Sequence, residues 1–286
     1  MDGKSLIKFL CSLLLFGMNG VVASNIAMTS YEIVLLRTMI GSVLLIVLFL
    51  LGKGRLHVRQ YPKDALFIAL SGVAMGMGWV FLYEAYQQIG VSLASLLYYC
   101  GPVIVMALSP LVFKERLTAP RVVGFAIVVV GVVLVNGNAS GELNVWGLFC
   151  GAMSAVMLAL IIMLNKQSKS ITGMENSVIQ LTVSFLTAAI VVGVRQGFQL
   201  DVPAEAWPWV LILGLVNTGI GCYLYFSSIG RLSVQTVAVC GYLEPLSAVV
   251  SAALLLGESM TALQIIGAAC IIGGAMISEL IKSRKA

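Results

Sequence analysis

Long apolar segments separated by short polar ones run through the whole chain. Crossing the hydrocarbon core of a bilayer takes about 20 residues of helix. Ten segments of about this length, numbered here as spans 1 to 10, cover 5–26, 32–51, 65–88, 91–112, 119–136, 144–165, 174–194, 207–229, 234–256 and 261–281. The pattern therefore predicts an all-α integral membrane protein with ten transmembrane helices.

The basic residues follow the same alternation. Every Lys and Arg apart from Arg37 and Arg195 lies at a terminus, or in or beside a loop that follows an even-numbered span. Positive charge stays on the cytoplasmic side of a membrane, so both termini are predicted to be cytoplasmic. Lys4 and Lys8 before span 1 are also typical of a signal peptide, but the cleavage site near Ala23 is weak, and we expect a retained helix.

Composition supports this prediction and excludes several classes of function. The chain is 60% hydrophobic and 10% charged, with a mean hydropathy of +1.03, whereas a soluble domain carries roughly 25% charged residues. The six cysteines all fall within spans without a CxxC pair, and His57 is the only histidine. Metal sites, Cys/His nucleophiles and direct ATP use therefore lack their residues. We expect no cofactor, no enzymatic activity and no nucleic-acid partner.

The chain repeats itself at a shift of 143 residues. Without a gap, the aligned identical pairs include Glu32–Glu175, Tyr99–Tyr242, Pro102–Pro245, Glu115–Glu258, Thr118–Thr261, Gly124–Gly267 and Gly131–Gly274. Residues 1–140 and 141–286 are therefore predicted to be two copies of a five-helix unit within one membrane domain. Because five is odd, the second copy enters the membrane from the opposite side. Such inverted repeats are the architecture of many secondary transporters.

Two aligned segments resemble a known family. They read VSLASLLYYCGPVIVMALSPLVFKERLT (91–118) and VQTVAVCGYLEPLSAVVSAALLLGESMT (234–261). Their small opening residues, the mid-helix proline, the KE or GE and the following Thr resemble the EamA-type branch of the drug/metabolite transporter superfamily. The resemblance implies alternating-access transport of a small solute across the bacterial cytoplasmic membrane, with export as the usual direction. Such families move amino acids, sugars, quaternary amines, nucleotides and drugs.

Glu244 is the first candidate for the transport site. It lies beside Pro245 in span 9, where a carboxylate is costly and is a functional candidate by default. On a helical projection Cys240, Ser247 and Ser251 share its face, and Pro245 frees a carbonyl oxygen one turn earlier. We predict that Glu244 binds substrate or a coupling proton. The alternative is a protonated Glu244 that hydrogen-bonds the opposing helix and holds the repeats together.

Arg37 and Glu84 are a second set of candidate functional residues. Both lie roughly 6–8 Å below the outer interface at 1.5 Å of rise per residue, in spans 2 and 3. They could form a fixed structural pair or an outer gate that substrate or a proton opens. Glu84 is also a candidate for proton coupling, and Arg37 could instead snorkel to the surface.

Aromatic and amide side chains complete the candidate substrate site. Span 3 carries a stripe of Gly72, Gly76, Trp79, Tyr83 and Tyr86. The predicted substrate contacts besides Glu244 are Trp79, Tyr83, Tyr98, Tyr99, Tyr242, Asn19 and Asn217. Aromatic rings near a carboxylate can hold an organic cation or stack on an aromatic substrate. The alternatives are ordinary packing and the interfacial aromatic belt for the rings, and bonds to a neighbouring helix for the amides.

The expected substrate is a small polar metabolite, an amino acid or related amine. The alternative is a quaternary ammonium or other organic cation or drug held by an aromatic–carboxylate site. Transport could be proton-coupled or facilitative, and the protein monomeric or homodimeric, in contact with membrane lipid. The glycine pairs seven residues apart in spans 5 and 10 are predicted to form tight packing seams, either inside the fold or between protomers.

Overall fold

The computed structural model describes residues 3–101, 104–105, 108, 112, 119–136, 144–197, 200–229, 240–241 and 243–280. Within these residues the regular structure is helical, without a strand. Four residues on which the sequence analysis relies, Tyr242, Pro102, Glu115 and Thr118, lie outside the described residues.

The helices follow the predicted spans closely. In the first half they are α1 Gly3–Gly17, α2 Asn19–Ser24, α3 Ser30–Leu51, α4 Pro62–Ile89, α5 Val91–Tyr98 and α6 Ala119–Asn136. In the second half they are α7 Val145–Gln167, α8 Gly173–Gln196, α9 Trp207–Leu211, the π-helix π1 Ile212–Ile220, α10 Gly221–Ile229, α11 Leu243–Leu255 and α12 Ala262–Leu280. A short 3₁₀ turn, Ala204–Ala206, precedes α9.

Several of these helices have the length and composition of transmembrane segments. Six are long and apolar enough to cross a membrane: Gly3–Ser24, Ser30–Leu51, Pro62–Ile89, Val145–Gln167, Gly173–Arg195 and Ala204–Tyr225. Shorter apolar helices fall within spans 5, 9 and 10: Val122–Gly131, Leu243–Leu255 and Ala262–Gly274. The prediction of an all-helical membrane protein is confirmed, whereas the count of ten spans and the orientation of the termini stay predictions.

Capping chemistry explains where α3 begins. The Thr29 hydroxyl accepts a hydrogen bond from the Glu32 backbone N–H at 3.4 Å, and the Glu32 carboxylate accepts one from the Thr29 backbone N–H at 2.9 Å. This reciprocal capping box satisfies two donors that the first helical turn leaves open. At the far end of α4, Gly90 has a φ of +82°, a conformation that favours glycine, and it separates α4 from α5.

At least three predicted spans are interrupted within the described residues. In span 4, a turn at Tyr99 and Cys100 follows α5. Span 1 is divided into α1 and α2 by a turn at Met18. At Gly17, immediately before this turn, a Cβ atom would lie 1.8 Å from Ser247 Oγ and 2.8 Å from the Glu244 carbonyl oxygen. The glycine therefore allows α1 to pack directly against α11. Span 8 contains π1, whose wider turns displace the residues that follow from their positions on a regular helix.

Contacts in one half of the bundle have counterparts in the other. α4 packs against α7 and α8, while α10 packs against α1 and π1 packs against α3. α6 and α12 pack along each other. A Cβ on Gly131 would lie 2.6 Å from the Gly267 carbonyl oxygen, and one on Gly274 would lie 2.8 Å from that of Gly124. The predicted glycine seam is therefore inside the fold.

Candidate substrate site

A small cavity lies inside the bundle where α1, α2, α3, α4, α5 and α11 meet. Its volume is about 30 Å³, room for about two water molecules. Its walls are aromatic and polar, formed by Phe16, Gly17, Asn19, Arg37, Trp79, Leu82, Tyr86, Ser95, Tyr98, Tyr99, Glu244 and Ala248. A solute as large as an amino acid would fit only if the surrounding helices moved apart.

Arg37 is held rigidly at one wall of this cavity and is only 1% exposed. Its Nε donates to Thr218 Oγ1 at 3.1 Å, and its Nη1 donates to the Tyr83 hydroxyl. The guanidinium carbon lies 4.3 Å from the centroid of the Trp79 ring and 5.0 Å from that of Tyr83. A guanidinium has five N–H donors, and within the described residues only these two hydrogen bonds engage it. As far as the described residues show, N–H donors of Arg37 are open to an anionic group in the cavity.

The wide turns of π1 supply the partner of Arg37. The Thr218 hydroxyl donates to the carbonyl oxygen of Leu213, five residues earlier, at 2.8 Å, while it accepts from Arg37. π-Helical turns are rare and are found frequently at functional sites. The sequence analysis missed Thr218. Its only signal was a polar side chain beside Asn217 in a stretch rich in glycine and apolar residues.

Glu244 borders the same cavity from the first turn of α11. The Tyr99 hydroxyl lies within hydrogen-bonding reach of its carboxyl group. The Tyr99 ring also packs edge-to-face against Tyr98, with centroids 5.2 Å apart. The small hydroxyls predicted to share the face of Glu244 bond to their own helix instead: Ser247 Oγ donates to the Glu244 carbonyl and Ser251 Oγ to that of Ala248.

Asn19 brings an open acceptor to the cavity. It is the first residue of α2, directly after the turn that interrupts span 1. Its Oδ1 atom is buried and has no hydrogen-bond partner among the described residues. A buried acceptor without a donor costs about 1–3 kcal/mol, so this oxygen is suited to a donor that arrives with a ligand.

Five of the predicted substrate contacts therefore line one cavity: Glu244, Trp79, Tyr98, Tyr99 and Asn19. Tyr83 lies behind the wall and orients Arg37. Asn217 is 2% exposed, and its Nδ2 donates to the Leu15 carbonyl at 2.9 Å, a bond that ties π1 to α1 outside the cavity lining.

Tyr86 and Ser95 line the cavity although they were not among the predicted contacts. Both lie on the helices that carry predicted contacts.

Glu84 occupies a different place. Its carboxylate accepts from Ser30 Oγ at 2.6 Å, Trp146 Nε1 at 3.0 Å and Gln88 Nε2 at 3.2 Å. None of these residues lines the central cavity. Arg37 and Glu84 form neither a hydrogen bond nor an ion pair with each other within the described residues. Each has other hydrogen-bond partners, so the structure does not form the suggested pair, and their similar depth below the outer interface stays a prediction.

Glu258, which was not among the predicted site residues, connects two helices. Its carboxylate accepts from the backbone N–H groups of Val91 at 2.7 Å and Ser92 at 2.9 Å. These are open donors of the first turn of α5, where a negative charge is also favoured by the helix dipole. Glu258 thus anchors the helix that carries Ser95 and Tyr98 into the cavity.

Three known proteins show what the chain is similar to. An uncharacterized transporter of Bacillus subtilis, YxxF, is 24% identical over 99% of this chain and 91% of its own. A Salmonella typhimurium protein named "Probable amino-acid metabolite efflux pump" is 27% identical over 76% of this chain and 78% of its own. The threonine/homoserine exporter RhtA of Salmonella typhimurium is 27% identical over 87% of this chain and 82% of its own.

The family assignment comes from a match to a family model rather than from any one relative. The model of the EamA-like transporter family matches residues 3–137 and again residues 145–280. Together with the apolar helices, this match identifies a multi-pass protein of the cytoplasmic membrane and a transporter rather than an enzyme. The chain belongs to the EamA-like transporter family.

Proposed function

We propose that the protein exports a small zwitterionic metabolite, an amino acid or a related amine, by alternating access. The observation that carries this proposal is the placement of Arg37 and Glu244 on the walls of one cavity. A free amino acid bears a carboxylate and an ammonium group close together. A cavity that offers a guanidinium and a carboxyl group has the complementary charges.

The chemistry of each wall fits one end of such a solute. A guanidinium can bind a carboxylate through two parallel N–H···O bonds. Stacking on Trp79 and the bond to Thr218 hold the plane of Arg37 in place for that purpose. Glu244 and Asn19 Oδ1 can accept hydrogen bonds from the ammonium group. The Tyr98 and Tyr99 rings would surround the side chain of the solute.

The inverted repeat would allow the helices around this small cavity to move apart on either side of the membrane. Two copies of one unit can exchange conformations, which turns a central site from one side of the membrane to the other. The reciprocal contacts of Gly131 with Gly267 and of Gly274 with Gly124, and the twofold match of the family model, support two units at 1–140 and 141–286. We propose ten spans with both termini cytoplasmic.

The names of two relatives support the same substrate class. One is named as an efflux pump for amino-acid metabolites and another as an exporter of threonine and homoserine. Export and an amino-acid-like solute are therefore proposed together. Glu244, the carboxyl group of the cavity, is the proposed site for a coupling proton, and a facilitative mechanism is the alternative.

An organic-cation transporter is the second candidate, because Tyr98, Tyr99 and Glu244 could surround a quaternary ammonium group. One observation favours the zwitterion. The Trp79 ring, which would be the best part of an aromatic cage, already stacks on the Arg37 guanidinium. A bound cation would also have to tolerate that guanidinium on the same cavity wall.

Chemically matched solutes test the proposal directly. Purified protein in liposomes is assayed for exchange of radiolabelled neutral amino acids, of their methyl esters, of their N-acetyl derivatives and of quaternary amines. We expect exchange of at least one free amino acid and at least tenfold slower exchange of both blocked forms. Equal exchange of the methyl ester, which lacks the carboxylate, would refute the role of Arg37. Exchange of quaternary amines alone would favour the second candidate.

A further inference from the structure

A second pocket opens on the side of the bundle, away from the central cavity. It lies between α4, α7, α8 and the start of α3 and has a volume of about 280 Å³. One part of its lining is apolar, with Met77 and Val80 from α4 and Ile190 and Val191 from α8. We call it the lateral pocket.

The lateral pocket opens on an apolar outer surface of the bundle. On its rim, Ile190 is 67% exposed and Val194 is 83% exposed. Exposed apolar side chains on a membrane-spanning helix contact acyl chains. From Met77 to Glu84 the pocket follows two turns of α4, about 10 Å at 1.5 Å of rise per residue. The apolar part of the pocket therefore extends along α4, and we call it the channel.

All polar groups of the lateral pocket lie at one end, close to where the helices terminate. Glu84 is fixed there by Ser30 Oγ and Trp146 Nε1. Arg195, one residue before the end of α8, lies with its guanidinium carbon 5.8 Å from the centroid of the Tyr31 ring. The mouth of the pocket thus presents one fixed carboxylate and one guanidinium above an apolar channel.

Arg195 is unusual in the charge pattern of the chain. Apart from Arg37, it is the only basic residue on the predicted non-cytoplasmic side, where lysine and arginine are normally depleted. A basic residue at that position is explained if it has an anionic partner in the membrane interface. The phosphate of a phospholipid head group is such a partner.

We propose that the lateral pocket binds one zwitterionic phospholipid with a primary ammonium group, of the phosphatidylethanolamine type. One acyl chain fills the apolar channel beside Val80 and Val191. Arg195 binds the phosphate, and Glu84 accepts a hydrogen bond from the ammonium group. A quaternary choline head group has no N–H to donate, and a glycerol head group has no positive charge, so both match Glu84 less well. The site is separate from the central cavity, and its assignment does not depend on the proposed substrate.

Lipid retention measured by native mass spectrometry tests this assignment. The detergent-purified, delipidated protein is incubated with equal amounts of phosphatidylethanolamine, phosphatidylcholine and phosphatidylglycerol. We expect one phosphatidylethanolamine to be retained in preference to the other two. Arg195→Gln should lower its retention at least about fivefold. Arg55→Gln, the same change at an exposed loop residue, should leave it unchanged. Equal retention of the three lipids, or full retention by Arg195→Gln, would overturn the proposal.

A pair of changes at one position tests the place of the acyl chain. Val191→Phe should fill the channel and lower retention, whereas Val191→Ala, which enlarges the channel, should preserve it. Both variants must elute as a single species at the wild-type volume, so a misfolded variant is recognised. Retention unchanged in correctly folded Val191→Phe would contradict binding in the channel. Displacement of the lipid by a transported solute would assign the pocket to the transport path instead.

Discussion

The central cavity and the lateral pocket each contain one carboxyl group, yet the two groups have very different surroundings. Glu84 is held by donors from three residues, Ser30, Trp146 and Gln88. Glu244 shares its cavity with Arg37 and has the Tyr99 hydroxyl within reach. Both residues lie in helices of similar apolar character. The difference is that Glu84 has three protein donors and lies at the mouth of the lateral pocket, whereas Glu244 lies on the wall of the central cavity beside Arg37.

This contrast separates two reasons for keeping a carboxylate in a membrane. A carboxylate with fixed donors can order helix ends, as Glu84 does by joining α3, α4 and α7. A carboxyl group that lines a cavity can exchange partners during a transport cycle. Both side chains are partly buried, so burial does not distinguish these roles. The two roles differ in which groups donate hydrogen bonds to the carboxylate and in whether those donors stay in place.

The largest expected effect is at Glu244. Replacing it by Gln removes one charge-assisted interaction with the ammonium group of the solute. Such interactions contribute roughly 1.5–3 kcal/mol, so we expect apparent affinity to fall about 10- to 100-fold. Glu84→Gln is the matched change in the other region and should alter transport less than about threefold. Concentration-dependent exchange in liposomes measures both. Equal losses in the two variants would remove the distinction between the regions.

A second test changes the spacing of the central region. A Cβ at Gly17 would lie 2.8 Å from the Glu244 carbonyl oxygen, which is backbone and cannot swing aside. Gly17→Ala should push α1 away from α11 and cost about 1–3 kcal/mol, as overpacking generally does. Thermal unfolding of the detergent-solubilised protein measures this loss. Gly3→Ala is the control in the same helix, because no atom lies within 4 Å of its added Cβ.

A smaller effect is expected in the lateral region. Ser30→Ala removes the hydroxyl that donates to Glu84 at 2.6 Å, and a bond to a charged group contributes roughly 1.5–3 kcal/mol when both partners are well placed. Because two donors to Glu84 remain, we expect the lower end of that range in stability and little change in exchange rate. Ser42→Ala, in the same helix, loses only a bond to its own backbone at Met39. A transport defect as large as that of Glu244→Gln would contradict the structural role of Glu84.

The smallest expected effect concerns Glu258, which anchors α5. Glu258→Gln keeps one acceptor oxygen but loses the negative charge at the helix start. Capping and helix-dipole contributions are about 0.5–1 kcal/mol, so the melting temperature should fall slightly. Glu205→Gln, in the exposed 3₁₀ turn, should have no effect. A wild-type melting temperature in Glu258→Gln would mean that the contact with Val91 and Ser92 does not contribute to stability.

The sequence predicts much of this architecture because periodicity and hydropathy are local properties. The helix positions, the glycine seam and five residues of the cavity wall follow from them. The turn at Met18 and the π-helix that contains Thr218 do not, because both depend on how helices pack. Helical projection predicts the positions of Arg37 and Glu84 along their helices but not the rotation of those helices relative to each other. The rotation of the helices decides which side chains face each other. Arg37 and Glu84 were therefore predicted as a possible pair but do not bond to each other.

The most direct test of the central claim is substrate protection at the two sites. In a background without native cysteines, Ser95→Cys places a thiol in the central cavity, and Ile190→Cys places one in the lateral pocket. Each variant is labelled with a small thiol reagent, with and without a transported amino acid, and the modified peptide is quantified. We predict that the amino acid slows labelling at Ser95→Cys and leaves Ile190→Cys unchanged. Protection at Ile190→Cys without protection at Ser95→Cys would contradict the assignment of the central cavity as the transport site.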